Sequence, residues 1–353
     1  MKLKKFFAGV LAAAMMLTVG ATAAFAETIS VPGNDYKGAK MFTADDPNLE
    51  LTKELHVASG TAPDTMKFDF TVKSGTTTVA TPSVTFNKDD DADGAAFTAG
   101  KTYSKKFTIN LNDILGDNKT QVGTYNYTIT ENDTTIPGIT KDNKTVKMTV
   151  TVVNKESNNL SESTGYGYIV ALRNNEDAQK SDGKFTNTYN AYGLKVTKVV
   201  KGNFADLKDE FTFVITLDKA KGMDNNYANA TVNSTNADNN DGAWTWTADG
   251  KAQKEVTLKH NQYAIISNLP VGVTYTVTEK DADAEGWVYT TTGEVETATA
   301  IHAEKNEVTI TNEHEGTPDM GVVLDNAPYI AMLAIVAIGG VALMLNKRRR
   351  DEE

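Results

Sequence analysis

The chain has 353 residues, of which 40% are hydrophobic, and its formal net charge is −11 at pH 7. An acidic surface repels phosphate groups, which argues against a nucleic-acid partner. The sequence has no cysteine and four scattered histidines, so thiol catalysis, disulfides and cysteine-ligated metals are excluded, and we expect neither a metal nor a cofactor. It also has no nucleophile elbow and no phosphate loop, so a surface enzyme is the least favoured function class.

The N-terminal stretch has the organisation of a secretory signal peptide. Lys2, Lys4 and Lys5 precede an apolar run from Phe6 to about Val19, and Ala24-Phe25-Ala26 then supplies small residues at the positions that a signal peptidase reads. We therefore expect residues 1–26 to be removed on export. The apolar run is too short for the alternative, an N-terminal membrane helix.

The C-terminal stretch predicts a transmembrane helix. Residues from about Ala327 to Leu345 are uncharged and mostly apolar, and the basic cluster Lys347–Arg350 follows them. This length matches the hydrocarbon core of a bilayer, and the basic cluster predicts that the tail stays in the cytoplasm. We expect everything between the signal peptide and this helix to lie outside the cell.

Short runs that alternate apolar and polar residues dominate the exported chain. They predict strands at 51–57, 67–72, 107–111, 122–131, 148–152 and 185–189. Clusters of Gly, Asn and Asp separate them, and the single helical feature is a predicted turn at Asn112–Leu115. This pattern is typical of an antiparallel β-sandwich.

A second set of strands repeats the plan of the first. Its members are predicted at 194–200, 211–217, 275–279 and 308–312. The expected fold class is therefore all-β, with two tandem Ig-like antiparallel β-sandwich domains at 27–191 and 192–316. The Asn/Asp-rich stretch between Met223 and Gly250 is expected to be a long surface loop.

Polar residues fall on the buried face of both sets of strands. Because side chains alternate across a strand, three inward residues are predicted in each domain: Lys53, Glu131 and Asn187 in the first, and Lys198, Glu279 and Asn312 in the second. A buried salt bridge with a hydrogen-bonded asparagine is one explanation. It does not explain why an asparagine lies on the last strand of both domains.

A covalent cross-link explains the pattern better. Burial lowers the pKa of a lysine amine and raises the pKa of a carboxyl group. The neutral amine is then a nucleophile and the asparagine carbonyl an electrophile, while the protonated acid polarises that carbonyl and shuttles protons as ammonia leaves. We therefore predict isopeptide bonds Lys53–Asn187 and Lys198–Asn312, promoted by Glu131 and Glu279.

These motifs resemble a known family. A lysine on the first strand, a Thr-Glu pair closing a tyrosine-containing strand (Thr130-Glu131 and Thr278-Glu279) and an asparagine on the last strand are similar to Gram-positive sortase-assembled backbone pilins. The resemblance is to the streptococcal T-antigen type with pilin isopeptide-linkage domains. It covers nearly the whole exported chain and implies a structural subunit of a covalently polymerised pilus. The alternative is a monomeric wall- or membrane-anchored adhesin or stalk built from the same domains.

The resemblance also implies a sortase, neighbouring pilin subunits and the cell wall as partners. The corresponding sorting signal, within residues 317–353, is Thr317-Pro318-Asp319-Met320-Gly321. It keeps the Pro and Gly of the family's (L/V)PxTG pattern, but Thr317 and Met320 depart from it. This departure implies a dedicated sortase that cuts after Met320. A plain juxtamembrane linker is the alternative.

The lysine that accepts the next subunit is also implied by the resemblance. Lys180 matches the family position best, and Lys184 is the second choice. The alternative for each is an ordinary solvated loop lysine. The expected location is the surface of a Gram-positive bacterium, reached through a membrane-anchored precursor.

Overall fold

The computed structural model describes most of the predicted exported chain and a C-terminal helix. The described residues are 29–31, 34–36, 41–90, 96–154, 165–174, 180–218, 232–234, 245–246, 251–280, 289–303, 305–316 and 327–350. The predicted signal peptide, 1–26, and the predicted sorting signal, Thr317–Gly321, lie outside them.

The part of the chain up to Tyr189 is built from strands. They are β1 (Ile29–Val31), β2 (Asn34–Tyr36), β3 (Met41–Thr43), β4 (Asn48–Val57), β5 (Thr65–Ser74), β6 (Thr77–Ala80), β7 (Ser83–Asn87), β8 (Lys101–Asn110), β9 (Gly123–Glu131), β10 (Ile139–Thr140), β11 (Thr145–Asn154), β12 (Tyr166–Asn174) and β13 (Lys184–Tyr189). The predicted helical turn is confirmed as α1 (Leu111–Leu115). Its first turn is capped because the Asn110 side chain accepts hydrogen bonds from two main-chain N–H groups.

Two sheets share the core of this first domain. One has the order β10-β13-β4-β8, and the other has the order β3-β12-β11-β9-β5-β6, with β7 joining β5. The predicted antiparallel sandwich needs one correction, because β4 and β13 are parallel neighbours. The first and last long strands of the domain therefore run side by side in the same direction.

The second domain repeats this plan. Its strands are β14 (Ala191–Lys201), β15 (Phe211–Leu217), β16 (Val232–Ser234), β17 (Thr245–Trp246), β18 (Ala252–Leu258), β19 (Tyr263–Pro270), β20 (Thr274–Lys280), β21 (Thr290–Thr292), β22 (Val295–Ala300) and β23 (Asn306–Glu313). They form sheets β16-β19-β14-β23-β21 and β17-β18-β15-β20-β22. The first and last strands, β14 and β23, are again parallel neighbours.

The alternation predicted from the sequence is present in the long strands. In β4, every second residue from Leu49 to Val57 is buried, and Lys53 is one of them. In β14, every second residue from Leu194 to Val200 is buried, including Lys198. One face of each strand therefore packs into the core and carries a lysine with it.

One predicted loop contains strands, and one predicted membrane span is not confirmed. The stretch between Met223 and Gly250, predicted as a loop, contains the short strands β16 and β17, which pair with β19 and β18. At the C-terminus, α2 (Ala327–Arg350) is helical. Within the ranges that the structure describes, no helix is long and apolar enough to cross a membrane, so the predicted span is not confirmed.

The two domains are tied directly to each other. The side-chain oxygen of Asn268 accepts from Thr61 N at 2.6 Å, and its Nδ2 donates to Thr61 O at 3.1 Å. Gly60 has a φ of +74°, and a Cβ there would lie 2.5 Å from the Asn268 side chain. Only glycine fits this close approach, so the junction packs without a spacer.

Candidate functional site

The first candidate site joins the two sheets of the first domain. Lys53 on β4 is in register with Phe185 on β13, so Asn187 lies two residues further along on the same face. Glu131 closes β9 in the other sheet. The Glu131 side chain extends across the core to Lys53 and Asn187.

One carboxyl group bridges the amine and the amide. Lys53 Nζ donates to Glu131 Oε2 at 2.6 Å, and Asn187 Nδ2 donates to Glu131 Oε1 at 2.5 Å. The side chains of Lys53 and Glu131 are 0% exposed, as is Asn187. The three residues that the sequence predicts together are therefore in contact and shielded from water.

The second domain contains the same arrangement. Lys198 on β14 is in register with Ile310 on β23, and Asn312 again lies two residues further along. Lys198 Nζ donates to Glu279 Oε2 at 2.9 Å, and Asn312 Nδ2 donates to Glu279 Oε1 at 2.6 Å. The Lys198 and Glu279 side chains are 0% and 2% exposed.

Burial shifts the acid–base behaviour of these groups. In the first site, burial lowers the pKa of Lys53 and raises the pKa of Glu131, although their attraction opposes both shifts. In the second site, burial lowers the pKa of Lys198 to about 8. The lowered pKa of each lysine favours its neutral amine, which is the form that attacks a carbonyl, and the raised pKa of Glu131 favours its protonated form.

Aromatic rings enclose both amines. Lys53 Nζ lies 5.0 Å from the centroid of the Phe68 ring. Lys198 Nζ lies 4.0 Å from the Phe211 centroid and 5.4 Å from the Phe213 centroid. The rings exclude water, which accounts for the desolvation of the amines, while their faces still attract any charged form.

The asparagine carbonyls are arranged differently from the sequence prediction. We expected each glutamate to polarise the carbonyl, but both glutamates contact the amide nitrogen. In the first domain, the main-chain N–H of Asp142 donates to Asn187 Oδ1 at 2.8 Å. In the second domain, Asn312 Oδ1 is buried with no hydrogen-bond partner among the residues described. Sequence reasoning missed Asp142 because a main-chain donor has no side-chain signature.

The two predicted acceptor lysines have different surroundings. Lys180 is partly buried, and its main chain forms an isolated antiparallel β-bridge with Arg173. Lys184 Nζ pairs with Glu54 Oε1 at 2.8 Å, and its side chain is 40% exposed. The hydrogen bond to Glu54 raises the pKa of Lys184. This pairing makes the Lys184 amine a weaker nucleophile.

Two family models match the chain, one on each domain. Residues 49–190 match the Spy0128-like isopeptide containing domain. Residues 192–314 match a domain of unknown function, DUF7601. The first match covers Lys53, Glu131 and Asn187 together.

A curated relative matches almost the whole chain. It is a pilin of Streptococcus pyogenes serotype M1, 29% identical over 95% of this chain and 98% of its own length. Over nearly its full length the chain is therefore similar to a pilin, and its first domain matches an isopeptide-containing family. These similarities support a structural subunit of a pilus.

Solved structures of pilins are also similar to this chain. The crystal structure of the major pilin from Streptococcus pyogenes is 20% identical and covers 76% of this chain and 99% of its own chain, with a TM-score of 0.47. The major pilin T3.2 of the same species is also 20% identical over the same shares, with a TM-score of 0.46.

Proposed function

We propose that this protein is a pilin, the backbone subunit of a covalently polymerised pilus, and that each of its domains, 27–191 and 192–316, forms its own Lys–Asn isopeptide bond. The observation that carries the proposal is the repeated contact of a buried lysine, a buried glutamate and a buried asparagine. An unreacted buried pair contributes little to stability, because desolvation offsets the attraction between the charges. A covalent bond between the lysine and the asparagine explains why the same buried arrangement occurs in both domains.

The reaction conserves atoms without a cofactor. The neutral lysine Nζ attacks the asparagine Cγ, and the new Nζ–Cγ bond replaces the Cγ–Nδ2 bond. Nδ2 leaves as ammonia after taking a proton from the glutamic acid, and the glutamate regains a proton from Nζ. Each domain loses about 17 Da. Because each site reacts once, the protein is not an enzyme.

The strand topology makes this bond a mechanical element. When the chain is pulled from its two ends, the force enters the first domain at the start of β4 and leaves at the end of β13, which are parallel neighbours. The bond between Lys53 and Asn187 joins these two strands directly. The force therefore passes through a covalent bond, and the strands between them carry no load. Resistance to unfolding and to proteolysis follows.

Polymerisation requires a second kind of bond, between subunits. We propose that the apolar segment 327–345 holds the precursor at the membrane and that a sortase cuts after Met320. The new carboxyl end then joins Lys180 of the next subunit, and the last subunit is attached to the cell wall. Lys180 is preferred over Lys184 because it matches the acceptor position of the family best.

The mass of the covalent products in cell-wall extracts, measured by gel electrophoresis, tests this proposal. Boiling in detergent leaves a ladder of high-mass bands if subunits are covalently joined, and the ladder requires the sortase. Lys180→Arg abolishes the ladder, whereas the matched variant Lys184→Arg preserves it. A single band from the unaltered protein contradicts the pilus and favours the monomeric anchored adhesin.

A further inference from the structure

A main-chain amide in the first domain contacts a reacting atom. Asp142 lies in the connection between β10 and β11, and its N–H donates to Asn187 Oδ1 at 2.8 Å. An N–H group can only donate, so this bond orients the amide of Asn187 with its oxygen towards Asp142. The nitrogen that must leave then faces Glu131, to which it donates.

The side chain of Asp142 fixes this amide in place. Its Oδ2 accepts from Thr186 N at 2.9 Å, and its Oδ1 accepts from Lys144 N at 2.9 Å. Thr186 is the neighbour of Asn187 in β13. The carboxylate therefore clamps the connection onto the strand that carries the reacting amide.

The charge of Asp142 also acts on the acid. Burial is the main cause that raises the pKa of Glu131, and the negative charge of Asp142 adds to this effect. The protonated form of Glu131 is the one that gives a proton to the leaving nitrogen. The same charge also raises the pKa of Lys53, so Asp142 favours the reactive state of the acid and opposes that of the amine.

We propose that the Asp142 N–H is the oxyanion donor for the first isopeptide bond and that the Asp142 carboxylate positions it; this inference rests on the proposed function. As Lys53 Nζ bonds to Cγ of Asn187, the carbonyl electron pair moves to Oδ1, where the N–H stabilises the negative charge. The pair returns as the Cγ–Nδ2 bond breaks. Nδ2 leaves as ammonia with a proton from Glu131, and Glu131 recovers a proton from Nζ.

An amide-to-ester replacement at position 142 tests the donor directly. The full chain is made by cell-free translation with the α-hydroxy analogue of aspartate, which removes the N–H and keeps the carboxylate. After initiation is blocked, acid-quenched samples are digested, and the two cross-linked peptides are quantified by mass spectrometry. We expect the first bond to form at least about tenfold more slowly, because loss of one such donor costs roughly 10²–10³-fold in rate in enzymes.

The second domain serves as an internal control. The Lys198–Asn312 bond is expected to form at an unchanged rate in the same molecules. The pH profile of the first bond also stays unchanged in shape, because neither the amine nor the acid is altered. A merely structural effect of the ester would instead make the first domain sensitive to protease before it reacts.

Side-chain variants separate the clamp from the donor. Asp142→Ala removes both carboxylate contacts and is expected to slow the first bond, and Asp142→Asn restores part of the rate because its side-chain oxygen still accepts one of them. Asp133→Ala is the matched control, since that carboxylate is 95% exposed and pairs with Lys141. Formation of the first bond at the parental rate in the ester-containing chain overturns the inference. If the parent forms neither bond, the proposed function itself has failed.

Discussion

The two domains of this protein place the same three residues in the same relation but surround them differently. In both, the asparagine lies two residues beyond the register partner of the lysine, on a parallel neighbouring strand. The Asp142 N–H contacts the carbonyl in the first domain, whereas Asn312 Oδ1 is buried without a partner among the described residues. The register of the strands and one glutamate therefore define the site, and the environment of the carbonyl varies.

The comparison of the two domains also bears on the second domain, whose family match carries no known function. The first domain matches an isopeptide-containing family, while the second matches a domain of unknown function. Because the second domain repeats the contacts of Lys198, Glu279 and Asn312, we propose the same chemistry for it. Variants that affect one domain at a time test whether this equivalence holds.

The largest expected effect comes from removing each glutamate separately. Glu131→Ala prevents the first bond and Glu279→Ala prevents the second, because the proton shuttle is lost. Each variant is about 17 Da heavier than its sequence predicts for a fully cross-linked chain. Peptide mapping assigns the missing bond. A cross-link lost from the other domain, or lost from both, contradicts two independent sites.

Loss of a bond also changes how far a domain extends under force. The lysine and asparagine of each domain are more than a hundred residues apart. Asn187→Ala is therefore expected to release an extension of roughly 400 Å when the first domain unfolds in a single-molecule pulling experiment. The second domain of that variant stays inextensible. Equal extension of the parent protein contradicts the load-bearing role.

The pH dependence of bond formation distinguishes the second site next. The reaction needs a neutral Lys198 amine and a protonated Glu279, and this form carries the same number of protons as the ion pair. Because the pKa of Lys198 is about 8, the site loses its last proton above about pH 8, and the rate of the second bond is expected to fall there. A time course of cross-linked peptide between about pH 7 and 10 measures it, and a rate that keeps rising above about pH 8 contradicts proton donation by Glu279.

The same pKa shift predicts how an uncross-linked second domain responds to pH. In Asn312→Ala, Lys198 binds its proton less tightly in the folded domain than in the unfolded chain, whose lysine has the ordinary pKa of 10.5. The free energy of unfolding therefore rises as the pH increases from about 8 towards 10.5. Denaturant titrations at several pH values check this direction.

The smallest expected effect comes from an exposed ion pair. Lys280 and Glu255 form a salt bridge at 3.1 Å, and both side chains are more than half exposed. Glu255→Gln is expected to change the free energy of unfolding by less than about 1 kcal/mol and to leave both isopeptide bonds intact. A loss of the second bond in this variant indicates that Glu279 is not the specific partner.

Much of the site could be predicted from the sequence because strands have a period of two residues. Alternation alone places Lys53, Lys198 and their partners on the core face. It does not give the direction or neighbours of a strand, so the parallel pairing of β4 with β13 was not predicted. The Asp142 donor was also missed, because its N–H carries no residue-specific pattern.

Some strands were missed for equally specific reasons. In β12, the buried residues Tyr168, Ile169 and Val170 are consecutive, which hides the alternation. In β18, the inward positions include Lys254, which is 7% exposed. With Ala252 at the other early inward position, only Val256 and Leu258 are large apolar residues on that face, which is too short a run to identify a strand.

The intact mass of the exported protein tests the central claim most directly. Two isopeptide bonds release two molecules of ammonia, so the predicted mass is about 34 Da below that of the unmodified exported sequence. Peptide mapping then finds Lys53 joined to Asn187 and Lys198 joined to Asn312. An exported protein with the full unmodified mass contradicts the account in both domains.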